Sequence, residues 1–120
     1  MTKAEQFVSM ALLGRDLAHL AHWKTKSYAE HKALGEFYEG LLDLTDAFVE
    51  QYQGYYGKRM DILRTEDDQK ENIREVLEYQ AEWIEMYRYQ ICERDESALQ
   101  NTIDEILRLY QTTAYLLTLE

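Results

Sequence analysis

Apolar residues recur along most of the chain at alternating steps of three and four, the spacing of one face of an α-helix. Four such runs form apolar seams: Phe7, Met10, Gly14, Leu17 and Ala21; Leu34, Tyr38, Leu41, Thr45, Phe48 and Tyr52; Ile73, Leu77, Gln80, Ile84, Tyr87 and Ile91; and Leu99, Ile103, Ile106, Tyr110, Ala114 and Leu117. Seams of this kind are typical of helical bundles. The pattern therefore predicts helices over residues 3–24, 28–53, 66–94 and 98–119.

A helix-start signal stands at or near the beginning of each predicted helix. In each case a hydroxyl residue is followed three positions later by an acid or an amide. The four pairs are Thr2 with Glu5, Ser27 with Glu30, Thr65 with Asp68, and Ser97 with Gln100. In a capping box the hydroxyl oxygen accepts from an early backbone N–H, and the later side chain reaches back to the cap.

The longest predicted connection, from Gly54 to Arg64, lies between the second and third helices. Gly54 is predicted to follow the end of the second helix, and Gly57 to form a second turn. Eleven extended residues reach about 36 Å, close to the length of about 39 Å of the second helix. This reach favours a connection that runs from one end of the bundle to the other between the second and third helices. We expect an all-α, ferritin-like four-helix bundle forming one domain over residues 1–120, with a simple up-down-up-down bundle as the alternative.

Composition supports helices and narrows the function classes. The chain has no proline and five glycines, and its net charge of −10 weighs against nucleic acid as a partner. The start does not resemble a signal peptide, and no apolar run is long enough to span a membrane. The single cysteine, Cys92, cannot form an internal disulfide and is predicted to be a small core or boundary residue. A cytoplasmic location is the expectation.

All three histidines fall within residues 19–31, as His19, His22 and His31 around Trp23. One interpretation is a helix corner, since a histidine near a helix C-terminus is favoured by the helix dipole. The other is a metal site completed by residues further along the chain. Imidazole and carboxylate together suit Fe, Zn or Mn.

Carboxylates line one face of the second helix. They step by three and four along the chain: Glu36, Glu39, Asp43, Asp46 and Glu50. This stripe lies roughly 150° from the apolar seam, where a solvated face is also expected. Like charges one turn apart repel, and a cation or a second subunit would relieve them. The chain contains no Glu-x-x-His, so we expect any metal site on the outside of the bundle, closed by a second subunit.

The segment HWKTKSYAEHKALGEFYEGLLDLTDAFVEQYQG resembles the signature of Dps-type ferritin-like proteins. In that family a His-Trp pair ends the first helix and a second histidine opens the next. An Asp and a Glu one turn apart on that helix pair with the histidines of a neighbouring subunit. The resemblance implies metal ligation by His22 and His31 of one subunit and by Asp46 and Glu50 of another. Gly35 stands where the family has a further Asp.

The resemblance also implies an activity: binding and oxidising Fe(II), and storing the ferric mineral inside a shell of twelve chains. Zn and Mn are the alternative metals. We expect a homo-oligomer, at least a dimer, with neither nucleic acid nor membrane as partner. The alternative function is a ferritin-like helical oligomer that has lost the chemistry and binds or sequesters a protein or a small ligand. Gly35 at a ligand position favours this alternative.

Overall fold

The part of the chain that the structure describes is a bundle of four α-helices. The computed structural model describes residues 1–65 and 72–119, and within these ranges it contains no strand. The helices are α1 (Lys3–Lys24), α2 (Tyr28–Tyr56), α3 (Ile73–Ile91) and α4 (Ser97–Leu116). The predicted all-α class is confirmed, and each helix lies where the apolar spacing predicted one.

Each helix packs against two neighbours. The pairs in contact are α1 with α2, α1 with α3, α2 with α4 and α3 with α4, so α2 and α3 lie at opposite corners. Helix α1 runs antiparallel to α2, because Phe7 meets Phe48 and His22 meets His31. It also runs antiparallel to α3, because Lys3 lies over the Tyr87 ring and Met10 contacts Gln80. Because α2 and α3 both run antiparallel to α1, they run parallel to each other. The chain between them therefore travels along the bundle.

The connection after α2 follows α1. It begins at Gly57, whose φ of 69° is left-handed, whereas Gly54 lies inside α2; the predicted helix end at Gly54 is therefore wrong. The backbone N–H of Asp61 donates to the Glu5 carboxylate, and the Leu63 carbonyl accepts from the Ser9 hydroxyl. The contacted α1 residues advance along the helix as the connection proceeds, so this segment climbs along α1.

Two of the predicted helix starts hold in the structure. Thr2 and Glu5 form both bonds of a capping box. The Ser27 hydroxyl accepts from the backbone N–H of Glu30 at the start of α2. The short sequence motif therefore defines where α1 and α2 begin.

The other two predicted starts differ. Helix α3 begins at Ile73, with Asn72 as its N-cap, and ends at Ile91 rather than at residue 94. The predicted start at residue 66 and the predicted cap partner Asp68 lie outside the described residues. For α4 the prediction is wrong, because Ser97 is already the first helical residue. The Gln100 side chain instead donates to the carbonyls of Arg88 and Cys92 at the end of α3.

Most residues of the predicted seams lie in the core, which also includes Phe37, a residue outside those seams. Phe7 packs edge-to-face on Phe48, with ring centroids 5.0 Å apart, and Phe37 packs on Tyr110 at 5.1 Å. Cys92 is buried, as predicted, and burial together with the nearby Glu96 charge raises the pKa of its thiol to about 11. No described helix is both long and apolar enough to cross a bilayer.

A polar link crosses this core between α1, α3 and α4. The Gln80 amide donates to the Met10 carbonyl at 3.1 Å and accepts from the Tyr110 hydroxyl at 2.7 Å. A Cβ at Gly14 would collide with the Gln80 side-chain oxygen and lie 3.1 Å from the Tyr110 oxygen. Gly14 therefore makes room for a buried polar contact.

Candidate metal centre

His22 and His31 lie face to face at the corner between α1 and α2. Their ring centroids are 3.7 Å apart and their planes differ by 17°. The Nδ1 of His22 lies 2.6 Å from the His31 carbonyl oxygen, and the Nδ1 of His31 lies 2.8 Å from the His22 carbonyl oxygen. Because a carbonyl oxygen only accepts hydrogen bonds, both Nδ1 atoms carry hydrogen and donate. We call this reciprocal pair the histidine clasp.

One half of the clasp follows from the end of α1, because the last carbonyl groups of a helix have no helical partners. His22 lies in the last turn of α1, and α1 gives way to extended backbone at Thr25. Only Thr25 to Ser27 separate α1 from α2, so His31 faces the end of α1. The His31 ring therefore caps an otherwise unpaired carbonyl and links the two helices.

The clasp also sets which ring nitrogens can bind a metal. With Nδ1 donating, the neutral form of each ring has its free lone pair on Nε2. Two imidazoles bound to one tetrahedral ion at about 2.1 Å hold their ring centroids about 5 Å apart. The observed 3.7 Å is too short for that arrangement. In this conformation each Nε2 can bind an ion of its own, and sharing one ion requires a ring to turn away.

Gly35 has a packing role beside the clasp. A Cβ at this position would lie 3.1 Å from Cε1 and 3.3 Å from Nδ1 of His22. The His22 ring thus covers the space that a side chain at residue 35 would enter. The carboxylate that the resemblance leads one to expect at this position would require the His22 ring to move. The resemblance implies an unfilled ligand position at Gly35, and the sequence gave no sign of this contact.

His19 belongs to an aromatic stack that adjoins the clasp through Tyr38, whose ring lies 5.3 Å from the His22 ring. The His19 ring lies 4.0 Å from the Tyr38 ring at an angle of 15°, and 4.1 Å from the Trp23 ring. Trp23 remains 66 % exposed, so it closes the outside of this stack rather than filling the core. His19 is therefore a packing neighbour of the clasp.

The predicted carboxylate ligands lie elsewhere on α2. Asp46 follows His31 by fifteen residues, which corresponds to about 22 Å of helical rise. Asp46 and Glu50 are exposed, and the structure shows no ion pair to either within residues 1–65 and 72–119. Over the same ranges no group of three or more His, Cys, Asp or Glu side chains is placed to hold a metal ion. The chain thus brings His22 and His31 together and keeps Asp46 and Glu50 apart from them.

Comparison with known proteins places the chain in a family. A relative from Enterobacteria phage T4, described as "Uncharacterized 14.6 kDa protein in mobD-ri intergenic region", is 32% identical over 124 residues, covering 99% of this chain and 91% of the relative. No solved structure matches the chain significantly. Residues 22–117, which include all four predicted metal ligands, match a family described as "Family of unknown function (DUF5856)". The chain belongs to that family.

Proposed function

We propose that the chain is a ferritin-like protein that binds divalent metal ions at an interface between two copies. His22 and His31 come from one copy, and Asp46 and Glu50 from the other. Iron is the first metal to test, with zinc and manganese as alternatives. The observation that carries the proposal is the histidine clasp, because both Nδ1 atoms donate to carbonyls and both Nε2 atoms are left as ligands.

The acidic stripe supports the same proposal. Asp46 and Glu50 lie one turn apart on an exposed face and repel each other. A bound cation relieves that repulsion and uses both carboxylates as ligands. The long connection along α1, which makes α2 and α3 parallel, is also a feature expected of a ferritin-like bundle.

The proposal has two parts, metal binding and the oxidation of bound Fe(II), and the second depends on the first. An ion held by one imidazole and two carboxylates keeps open positions for O₂ or peroxide. Two Fe(II) ions would each lose one electron and become Fe(III), and those two electrons with two protons would reduce O₂ to peroxide or peroxide to two waters. Gly35 supplies no further carboxylate, so binding and oxidation require separate measurements.

Titration of metal-free protein with Fe(II) under argon, and with Zn(II) in air, tests binding. We expect Asp46→Asn and Glu50→Gln each to weaken affinity about tenfold or more. Asp43→Asn is the matched control, because it removes a carboxylate from the same stripe outside the proposed site. We expect the same weakening for His22→Gln, and its matched control is His19→Gln, which removes a neighbouring imidazole outside the proposed site. Equal affinity in all five proteins and the parent would contradict the proposal.

A second candidate function is a helical scaffold that binds a partner without metal. It is favoured by two packing observations: the His22 ring covers the space beside Gly35, and both Nδ1 atoms bond to carbonyl groups of the chain. This candidate predicts a folded oligomer that takes up no Fe(II) and retains no metal after growth in iron-supplemented cells. Metal analysis after a sizing column distinguishes the two functions.

A further inference from the structure

A groove between α3 and α4 is lined by residues of these two helices and of the turn after α4, whereas the proposed metal ligands lie on α1 and α2. The groove holds a cavity of about 380 Å³, within the range of about 300–1,000 Å³ that is typical of binding clefts. Three buried or partly buried residues form its floor: Ala81, Tyr110 and Ala114. Because two of them are alanines, the floor has room for a side chain from another molecule.

The two walls of the α3–α4 groove differ in chemistry. On the α3 side stand three exposed acids that step by four and three along the helix: Glu78, Glu82 and Glu85. On the α4 side stands Tyr115, which is 62% exposed. Among the described residues, no lysine or arginine lines the groove. The groove therefore combines an apolar floor, an aromatic wall and an anionic wall.

The anionic wall is only partly compensated by the chain itself. Arg74 pairs with Glu78 at 3.5 Å, but both side chains are close to half exposed, where an ion pair contributes little. Glu85 accepts a hydrogen bond from the Gln111 amide at 2.7 Å, which leaves its charge in place. The ion pairs of the described residues involve neither Glu82 nor Glu85. Since like charges one turn apart repel, a cation in the groove would relieve this wall.

We propose that the α3–α4 groove docks a basic amphipathic helix of another protein. The apolar side chains of that helix lie on Ala81 and Ala114, and its Lys and Arg side chains face Glu82 and Glu85. Small floor residues let a third helix approach, as in the helix-in-groove mode of recognition. This docking goes beyond the proposed metal binding and does not depend on it.

Apolar surface continues from the groove onto the outside of α3. Met86 lies about 40° from Glu82 around the helix, and Tyr79 about 60° from it. Met86 is 70% exposed and Tyr79 is 61% exposed. A docked helix that reaches past the anionic wall would cover both side chains, which favours an extended partner over a small ion.

Charge distinguishes a different protein from a second copy of this chain. Within the described helices, no two Lys or Arg residues lie within two turns of each other, so none of these helices offers a basic face. Lys24, Lys26 and Lys32 are divided among the end of α1, the corner and the start of α2. A net charge of −10 adds repulsion between copies. The partner helix is therefore expected to carry basic residues three or four positions apart beside an apolar stripe.

Fluorescence anisotropy of labelled helical peptides, titrated with the full chain in chelator, tests the docking. Two peptides share one apolar stripe, and one carries Lys and Arg beside it where the other carries Glu. We expect the basic peptide to bind with a Kd below about 100 μM, and the acidic peptide to bind at least about tenfold more weakly. Circular dichroism of every protein variant confirms that the helices are intact.

Three variants locate the bound peptide. Glu82→Lys should weaken binding of the basic peptide about tenfold. Glu105→Lys is its matched control, because it makes the same change in net charge at an exposed α4 residue that does not line the groove, and it should weaken binding less than about twofold. Ala114→Leu fills the floor without changing charge and should weaken binding about fivefold.

Four results would overturn the proposal. The first is no binding of the basic peptide up to about 1 mM. The second is an equal loss in Glu82→Lys and Glu105→Lys, which would mean attraction to the acidic surface as a whole. The third is unchanged binding in Ala114→Leu. The fourth is self-association of the chain that Glu82→Lys abolishes, which would assign the groove to a second copy.

The metal titration is a separate readout, because none of these three variants changes a proposed metal ligand. Peptide docking by a chain that takes up no metal contradicts the proposed function and leaves the groove standing. Metal uptake by a chain that binds no basic peptide contradicts the docking alone.

Discussion

Glycines make room for polar side chains in two regions of this molecule, with different consequences. In the core, Gly14 faces Gln80 and Tyr110, whose polar atoms bond to one another and to the Met10 carbonyl. At the corner, Gly35 faces His22, and among residues 1–65 and 72–119 the His22 ring bonds through Nδ1 alone. The core site uses its polar atoms within the chain, whereas the corner site leaves two ring nitrogens free.

This difference separates a structural polar contact from a candidate binding site. A buried polar group has to be paired, because an unpaired one costs about 1–3 kcal/mol. Gln80 and Tyr110 meet that requirement and are closed to ligands. His22 is partly buried and His31 is exposed, so water can satisfy Nε2 until a metal replaces it. Substitutions at the two glycines should therefore affect different properties.

The largest effect is expected from Gly14→Ala. The new Cβ collides with the Gln80 oxygen, so the α1, α3 and α4 contact has to open in a packed core. We expect a loss of about 3 kcal/mol of unfolding free energy, measured by urea denaturation. Gly54→Ala is the matched control, because nothing lies within 4 Å of its new Cβ inside α2. The control should gain up to about 1 kcal/mol. Similar values for both variants would contradict the proposed role of Gly14.

Tyr110→Phe removes the hydroxyl and keeps the ring. The Gln80 oxygen then loses its donor inside the core, and we expect a cost of about 2 kcal/mol by the same denaturation measurement. Tyr79→Phe is the control, since Tyr79 is 61% exposed and should change stability by less than about 0.5 kcal/mol. A neutral Tyr110→Phe would mean that the hydroxyl bond contributes no net stability.

The helices and core were predictable from the sequence, because apolar periodicity depends on residues close together in the chain. The end of α2 was predicted wrongly, since Gly54 and Gly57 carry the same local signal and the structure uses Gly57. The start of α4 was predicted wrongly for another reason. Gln100 bonds to carbonyls at the end of α3, a tertiary contact that no local pattern contains.

The candidate site was predictable only in part. The short distance along the chain from His22 to His31 placed both histidines at one corner. Their reciprocal bonds and the role of Gly35 depend on ring orientations, which spacing does not determine. The partner of Asp46 and Glu50 depends on a second copy of the chain. The ligand set therefore stays a prediction, and the clasp is the part that the structure adds.

Gly35→Ala should shift the His22 ring with little change in the free energy of unfolding. Its Cβ comes within 3.1 Å of His22, so the ring has to shift by a few tenths of an ångström at a partly exposed site. Alanine also favours the helix by up to about 1 kcal/mol, so we expect a net change within about 0.5 kcal/mol. The clasp should still be disturbed, which histidine ring signals in NMR spectra would show. A loss as large as that expected for Gly14→Ala would remove the contrast between the two regions.

The smallest effect concerns exposed carboxylates. Glu5 accepts from the backbone N–H groups of Thr2 and Asp61, which lower its pKa, whereas Glu50 has no ion-pair partner among the described residues. Because the pKa of Glu5 is lower in the folded protein than in the unfolded chain, its charged form stabilises the fold at pH values above the unfolded-state pKa. This stabilisation is lost as the pH falls through the folded-state pKa. Glu5→Gln should therefore lower the melting temperature at pH 7, and the difference from the parent should disappear as pH falls through the lowered pKa of Glu5.

Glu50→Gln should do the opposite in metal-free protein under dilute, monomeric conditions. It removes repulsion within the stripe, worth a few tenths of a kcal/mol, and gives up no hydrogen bond that the structure shows. Calorimetric scans of both variants from pH 3 to pH 8 test the pair. Opposite changes in melting temperature at pH 7 would show that the Glu5 carboxylate stabilises the fold and that the Glu50 carboxylate destabilises it. That destabilisation is what a bound cation or a second copy would remove. A loss of stability in Glu50→Gln would mean that the stripe already has partners within the chain.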